Sequence, residues 1–338
     1  MTSTFKITSL DEIAALADSF STRDETSTQA ATDRQNSLTK PLGALGRLED
    51  IAIFLAGWQK TDRPKIGTAQ AVVFAGNHGI CAQGVNPFPQ EVTAQMVANF
   101  EHGGAAINQL CKANGAELSV VALDLETPTN DFTTAPAMTA HECVDAINKG
   151  AEAVDKTTDI LILGEMGIGN STVAAALAAA VFKGEPTDWV GRGTGSDDDG
   201  VTRKVDAISR GLQLHGNLSP MDILSALGGR EQAAICGAVL AARAYGIPVI
   251  LDGYICTASV APLFKESASL LDHCLIGHLS VEPGHAKLLA EMGKTAILNF
   301  DMRLGEGSGA ALALGIVKSA LACHNGMATF AEAQVSGG

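Results

Sequence analysis

Apolar residues alternate along this chain in two rhythms. Nearly unbroken apolar runs occur at 69–76, 116–124, 159–164, 246–253 and 274–280, each closed by glycine or a polar turn. Such runs, rich in Val, Ile and Leu, predict strands buried on both faces, as in a parallel sheet. A further short apolar strand ends near Asn299, before the loop Leu304-Gly305-Glu306-Gly307-Ser308-Gly309. Helical spacing appears between the runs: at 10–17, at 51–58 after the Pro41-Leu42-Gly43 turn, and at 91–97 and 142–155. It returns at 173–182, around Arg203-Lys204-Val205, after Gly228-Gly229-Arg230, at 257–261 and from 310 to about 322. Strand, glycine-rich turn and apolar helix thus repeat, predicting an α/β protein of parallel βαβ units. Residues 1–60 read as a small helical lobe, completed by about 320–338, and 61–319 as an α/β domain. Ligands bind such sheets beyond the carboxyl ends of the strands. Asn77, His78, Glu165, Gly167, Asp252, Ser280 and Glu306 all follow predicted strands.

Composition narrows the class. Hydrophobic residues make up 46% and aromatics only 4%, so the core rests on Ala, Val, Ile and Leu, and the 36 glycines suit many tight strand-to-helix turns. A net charge of −14 argues against binding nucleic acid or an anionic membrane surface. It leaves a small anionic substrate open. Seven cysteines without a CxxC pair read as reduced thiols of a cytoplasmic protein rather than a disulfide frame or zinc site. The N-terminus lacks a signal-peptide pattern, and no uncharged apolar run reaches the ~18 residues of a membrane span.

The turns carry the chemistry. Gly167-Ile168-Gly169-Asn170-Ser171-Thr172 opens an apolar helix and presents backbone N–H groups suited to a phosphate or carboxylate. Asn170 or Ser171 also serves there as an ordinary N-cap, which is compatible with anion binding. The loop is neither a P-loop nor a dinucleotide fingerprint. The Gly191–Gly195 loop is a second anion nest, with Lys204 downstream. Asp197-Asp198-Asp199 reads as a helix cap rather than a metal site. His78, His278 and His285 each have a structural reading beside a catalytic one. Glu306, framed by glycines, is either a helix cap or a carboxylate whose confined setting raises its pKa and makes it a proton acceptor.

Six collinear stretches resemble the nicotinate-nucleotide–dimethylbenzimidazole phosphoribosyltransferase family over about 36–335. They are Lys40-Pro41-Leu42-Gly43-Ala44-Leu45-Gly46-Arg47-Leu48-Glu49, Gly76-Asn77-His78-Gly79, 164–172, Gly191-Arg192-Gly193-Thr194-Gly195, Leu251-Asp252-Gly253 and 302–311. The resemblance implies a Rossmann-like homodimer, its small lobe built from N- and C-terminal helices. It also implies transfer of phosphoribose from nicotinate mononucleotide to a benzimidazole nitrogen, with no metal or cofactor. Glu306 is then the general base, and Glu165 lies near the ribose and reacting centre. Gly167, Gly169, Asn170, Gly193, Lys204, Ser280 and Asp252 surround phosphate and ribose, while Phe88, Met96, Leu304 and His78 contact the base. Some relatives carry a Ser and a Gln along the base-binding loop and helix, where this chain has Phe88 and, near the Gln, Gln95-Met96. A ring wall of Phe88 and Met96 predicts a pocket tolerant of several bases. Arg230 stands where an aromatic is frequent. An N-glycosidase using water and a non-catalytic nucleotide sensor are the competing readings; an NAD-dependent oxidoreductase lacks its fingerprint.

Overall fold

The computed structural model describes residues 5–193 and 195–336. Parts of the predicted terminal lobe, at 1–4 and 337–338, and Thr194 of the second glycine-rich loop lie outside them. Six strands form one all-parallel sheet: β1 (Ala69–Ala75), β2 (Glu117–Ala122), β3 (Ile160–Met166), β4 (Val249–Leu251), β5 (Cys274–His278) and β6 (Ala296–Leu298), ordered β2-β1-β3-β4-β5-β6. Strand order reverses direction between β1 and β3, so the crossover helices diverge there and leave a crevice at the carboxyl ends. The protein is therefore a Rossmann-like α/β fold, as the strand–turn–helix pattern predicts.

Side chains of period two divide the core between the two sheet faces. Val72, Phe74, Leu161, Leu163, Val249 and Leu251 join one buried cluster with the helices Ala140–Glu152, Asn170–Phe182 and Arg230–Tyr245. Ala71, Val73, Ile160, Ile162 and Ile250 join the other, beneath Arg47–Gln59, Ala106–Asn114 and Ser308–Gly326. The Ala-rich composition follows from this sandwich. Every residue from Val173 to Ala180 is buried, because this helix has neighbours on all sides.

Small residues also permit close helix crossings. A Cβ on Gly237 would stand 1.8 Å from the Ile147 carbonyl oxygen, and one on Gly150 1.9 Å from that of Ala234. The Ala140–Glu152 and Arg230–Tyr245 helices thus touch backbone to backbone.

The terminal segments attach at different places. Ile7, Leu10 and Ile13 enter the larger cluster, where the Asn148 side chain bonds both the amide and the carbonyl of Ile7 at 3.0 and 2.9 Å. The helix Glu25–Ser37 packs on Arg47–Gln59, which packs on Ser308–Gly326. Leu38 bridges antiparallel to Thr329, and Arg34 donates to the carbonyls of His324 and Met327. The Lys40-to-Glu49 stretch closes its turn with a buried ion pair of 2.8 Å, and the Glu49 carboxylate also takes the Leu45 amide.

Candidate active site

The crevice beyond the carboxyl ends of β3, β4, β5 and β6 is an open cleft, with residues 85–88 of the segment after β1 on one wall. Its floor is acidic. Glu165, the penultimate residue of β3, is 96% buried with its carboxylate held by the Asn170 amide group. Burial, reinforced by Asp252 and Glu231 and opposed by the Asn170 bond, pushes the Glu165 carboxyl up to about 8. Asp252 follows β4, but its oxygens are engaged by the amides of Gly307 (3.1 Å) and Ala310 (2.9 Å). It therefore anchors the start of the Ser308–Gly326 helix, where a negative charge is favoured. Burial raises its pKa against the pull of His278 and those amides.

Glu306 rides on that anchored turn. Gly305, Glu306 and Gly307 have φ of +87°, +64° and +84°, three left-handed residues in succession. For glycine this costs nothing special, whereas a glutamate held so stores on the order of 1 kcal/mol, a cost common at functional sites. The turn is pressed on β3: a Cβ on Gly305 would meet Glu165 Oε1 at 2.5 Å. The Glu306 side chain lines the cleft, and its Oε2 is buried without a hydrogen-bond partner. Burial, with Asp252 nearby, pushes its carboxyl up to about 7. At neutral pH it can gain or lose a proton readily.

A cationic end lies on the other side. Gly193, at φ +56°, brings its backbone so close to Ser171 that a Cβ would stand 2.9 Å from Ser171 Oγ and 3.2 Å from Lys204 Nζ. Lys204 Nζ donates to Ser171 Oγ (3.2 Å) and to the Gly191 carbonyl (3.3 Å). Burial lowers the Lys204 pKa, and Glu282 opposes that shift. With the Asn170–Phe182 helix N-terminus, Ser280 and Arg303 beside it, this corner has the donors of a phosphate site. The remaining wall is apolar: Val85, Pro87, Phe88, Met166, Ile255 and Leu304, with Phe88 and Leu304 about half exposed at the mouth.

Glu306, Glu165, Gly167, Gly169, Asn170, Gly193, Lys204, Ser280, Asp252, Phe88 and Leu304 therefore share one cleft. Two expected base contacts do not line it. His78 is fully buried behind the Gly167 turn, its Nε2 3.0 Å from Glu231 Oε1, because the strand end turns its side chain inward. Met96 packs against the second core cluster, because its place on the Glu91–Glu101 helix faces that cluster; the cleft's methionine is Met166. Asp197 caps the next helix through the Gly200 amide at 2.8 Å, as its sequence position predicts. Among the described residues no group of three or more His, Cys, Asp and Glu side chains is arranged for a metal ion. Arg230 is a clamp outside the cleft: it bonds the Thr127 carbonyl and Glu142 (2.9 Å), tying the 124–129 turn to two helices. Glu282, Arg303, Tyr254 and Ile255 line the cleft without any local signal in the sequence that marks them.

A family model described as a phosphoribosyltransferase matches residues 20–335. The nicotinate-nucleotide–dimethylbenzimidazole phosphoribosyltransferase of Rhodobacter capsulatus is 63% identical over 98% of this chain and 99% of its own. The chain belongs to this phosphoribosyltransferase family. The enzyme of the same name from Roseobacter denitrificans is 54% identical over 100% of both chains. The crystal structure of CobT from Thermus thermophilus superposes with a TM-score of 0.86 at 38% identity, covering 93% of this chain and 100% of that one. A phosphoribosyltransferase needs one pocket with an anion-binding end, an acidic centre for the sugar and an apolar berth for an aromatic base. Lys204 with the glycine turns, the carboxyl groups of Glu165 and Glu306, and the apolar wall of Phe88, Ile255 and Leu304 all line this cleft.

Proposed function

We propose that this phosphoribosyltransferase moves the 5-phosphoribosyl group of nicotinate mononucleotide to 5,6-dimethylbenzimidazole or a related base. The products are α-ribazole 5′-phosphate and nicotinate, a step of cobalamin biosynthesis. The observation that carries this reading is Glu306: a cleft carboxylate with one buried, unpartnered oxygen and a carboxyl pushed up to about 7.

The phosphate sits at the Gly167–Ser171 helix start and the Gly193 loop, with Lys204 as counter-charge. Phe88, Ile255 and Leu304 enclose the flat base. Glycosidic cleavage of a pyridinium needs no acid, because nicotinate leaves with the bonding electron pair and its ring nitrogen becomes neutral. An azole nitrogen of the incoming base forms the new bond to the anomeric carbon from the opposite face, inverting configuration. The proton on its other nitrogen passes to Glu306. General-base help of this kind is worth about 10²–10⁴ in rate, and alignment of the two rings supplies much of the rest. Positive charge growing at the sugar is stabilised by the acidic floor, Glu165 foremost. The family reading also makes the enzyme a cytoplasmic homodimer. No described helix is long and apolar enough to cross a membrane.

Nicotinate release from nicotinate mononucleotide, with and without dimethylbenzimidazole, tests the reaction. Release that requires the base and falls at least about 10²-fold in Glu306→Gln is expected. Release without base would make the protein a hydrolase, and nucleotide binding without release a sensor.

A further inference from the structure

Glu282 places a carboxylate at the cationic end of the cleft. It belongs to the segment after β5, is 92% buried, and accepts the Gly193 amide at Oε1 (2.9 Å). Its Oε2 has no partner and lies against Gly191, where a Cβ would stand 2.0 Å away. Lys204 and Arg303 are the cations that act on it. Arg303 in turn donates to the Gly193 carbonyl at 3.4 Å. A carboxylate thus occupies a backbone N–H of the nest that the phosphate reading assigns to the substrate.

Two anions cannot share that corner cheaply. A phosphate dianion between Lys204 and the Gly193 loop would face the Glu282 charge at low local dielectric. The carboxylate is also poorly held, with one oxygen bonded and the other buried without a donor, an arrangement that costs free energy. The left-handed backbone at Gly193 and Gly195 gives the loop room to reorient. We propose that Glu282 is an intramolecular competitor for the phosphate site, and that the donor's phosphate binds by taking the Gly193 amide from it. Glu282 then tunes donor affinity downward and favours release of the phosphorylated product. The proposal rests on the phosphate end assigned above.

Binding of nicotinate mononucleotide, sulfate and the phosphate-free nicotinate riboside to wild type, Glu282→Gln and Glu282→Ala, measured calorimetrically, tests it. Glutamine removes the charge but keeps an acceptor on the Gly193 amide; alanine removes both. Tightening for mononucleotide and sulfate is expected in glutamine and a larger one, about 3- to 10-fold beyond it, in alanine, the scale of one hydrogen bond. Riboside affinity is expected to stay constant. Variants that bind no tighter overturn the proposal, as do equal gains in the two, which would mean charge alone. Should alanine melt below the assay temperature, Glu282→Asp replaces it. This variant keeps the charge but falls a methylene short of Gly193, so displacement predicts tightening and charge alone predicts none. A wild type that binds mononucleotide no better than riboside and ignores sulfate overturns the phosphate-site reading, and this proposal with it.

Discussion

At the scale of single residues, the cleft depends on side chains whose protonation is set by confinement. Glu306 must be ionised to accept a proton, and its carboxyl sits at about 7 in the free enzyme. Activity from such a base is lost as pH falls through that value. A pH profile of kcat/KM is therefore expected to rise through about pH 7 and level above it, and Glu306→Gln is expected to abolish that limb together with at least about 10² in rate. In the proposed reaction, Lys204 acts on a part of the donor remote from the reacting bond. Lys204→Met keeps its bulk and removes the charge that Ser171 and Gly191 hold in place. Its expected effect is a rise in donor KM of about 10- to 100-fold, the worth of a charge-assisted hydrogen bond, with a smaller change in kcat. Steady-state kinetics that vary donor at saturating base would measure the split.

At the scale of elements, two backbone contacts fix the geometry. The first joins the Glu306 turn to β3, where Gly305 lies against Glu165. Gly305→Ala places a methyl at that carboxylate and strains a residue at φ +87°. Loss of 1–2 kcal/mol or so of stability is expected, with a fall in kcat exceeding any rise in KM, since Glu165 and Glu306 are displaced together. The second contact is the crossing of Ala140–Glu152 with Arg230–Tyr245. Gly237→Ala must push the helices apart, because its methyl would overlap the Ile147 carbonyl. Destabilisation of about 1–3 kcal/mol or more is expected, read as a lowered urea midpoint at unchanged slope. Because Gly237, Ile147, Gly150 and Ala234 do not line the cleft, the KM of the folded fraction should stay the same.

For the whole molecule, the acids gathered under the cleft make stability depend on pH. Glu165 and Glu306 have pKa values raised by burial to about 8 and about 7, so between about 4.5 and 8 the folded state holds protons that the unfolded chain has lost. Their contribution to stability therefore falls as pH rises through that window. The surface acids whose pKa is lowered, Glu12, Asp24 and Glu142 among them, act at lower pH and with the opposite sign. His273, His285 and His324, whose pKa values burial lowers, also contribute with the opposite sign, up to about pH 6.5, above which the cleft acids alone set the slope. Thermal melts are expected to show a lower Tm at pH 8 than at pH 7, above the range in which the histidines oppose the acids. Glu165→Gln should flatten that slope and raise stability at pH 8 by up to ~2–4 kcal/mol, the linkage worth of so buried a shift. Little gain is expected at pH 5. An enzyme that becomes more stable when a cleft acid is neutralised would have traded folding free energy for chemistry.

Much of this was legible in the sequence because local rules and tertiary demands agree there. Unbroken Val, Ile and Leu runs have no stable use except in a doubly covered strand, and Gly167-Ile168-Gly169-Asn170 or Gly305-Glu306-Gly307 can only turn where a strand gives way to a helix. Those two facts determined the βαβ plan and the placing of Glu165, Glu306 and the glycine-rich loops at one end of the sheet. The tertiary structure alone decided which side chains line the cleft. His78 follows a strand as Glu306 does, yet it points into the core toward Glu231, and Met96 sits at helical spacing that suits either face. Asp252 turned out to hold a helix start through two amides that arrive from 55 and 58 residues later. Glu282 and Arg303 lie in unremarkable sequence and gain their meaning from Gly193, some ninety to a hundred and ten residues earlier. Charge and hydrogen bonding act through space, and between distant segments the fold alone sets those distances.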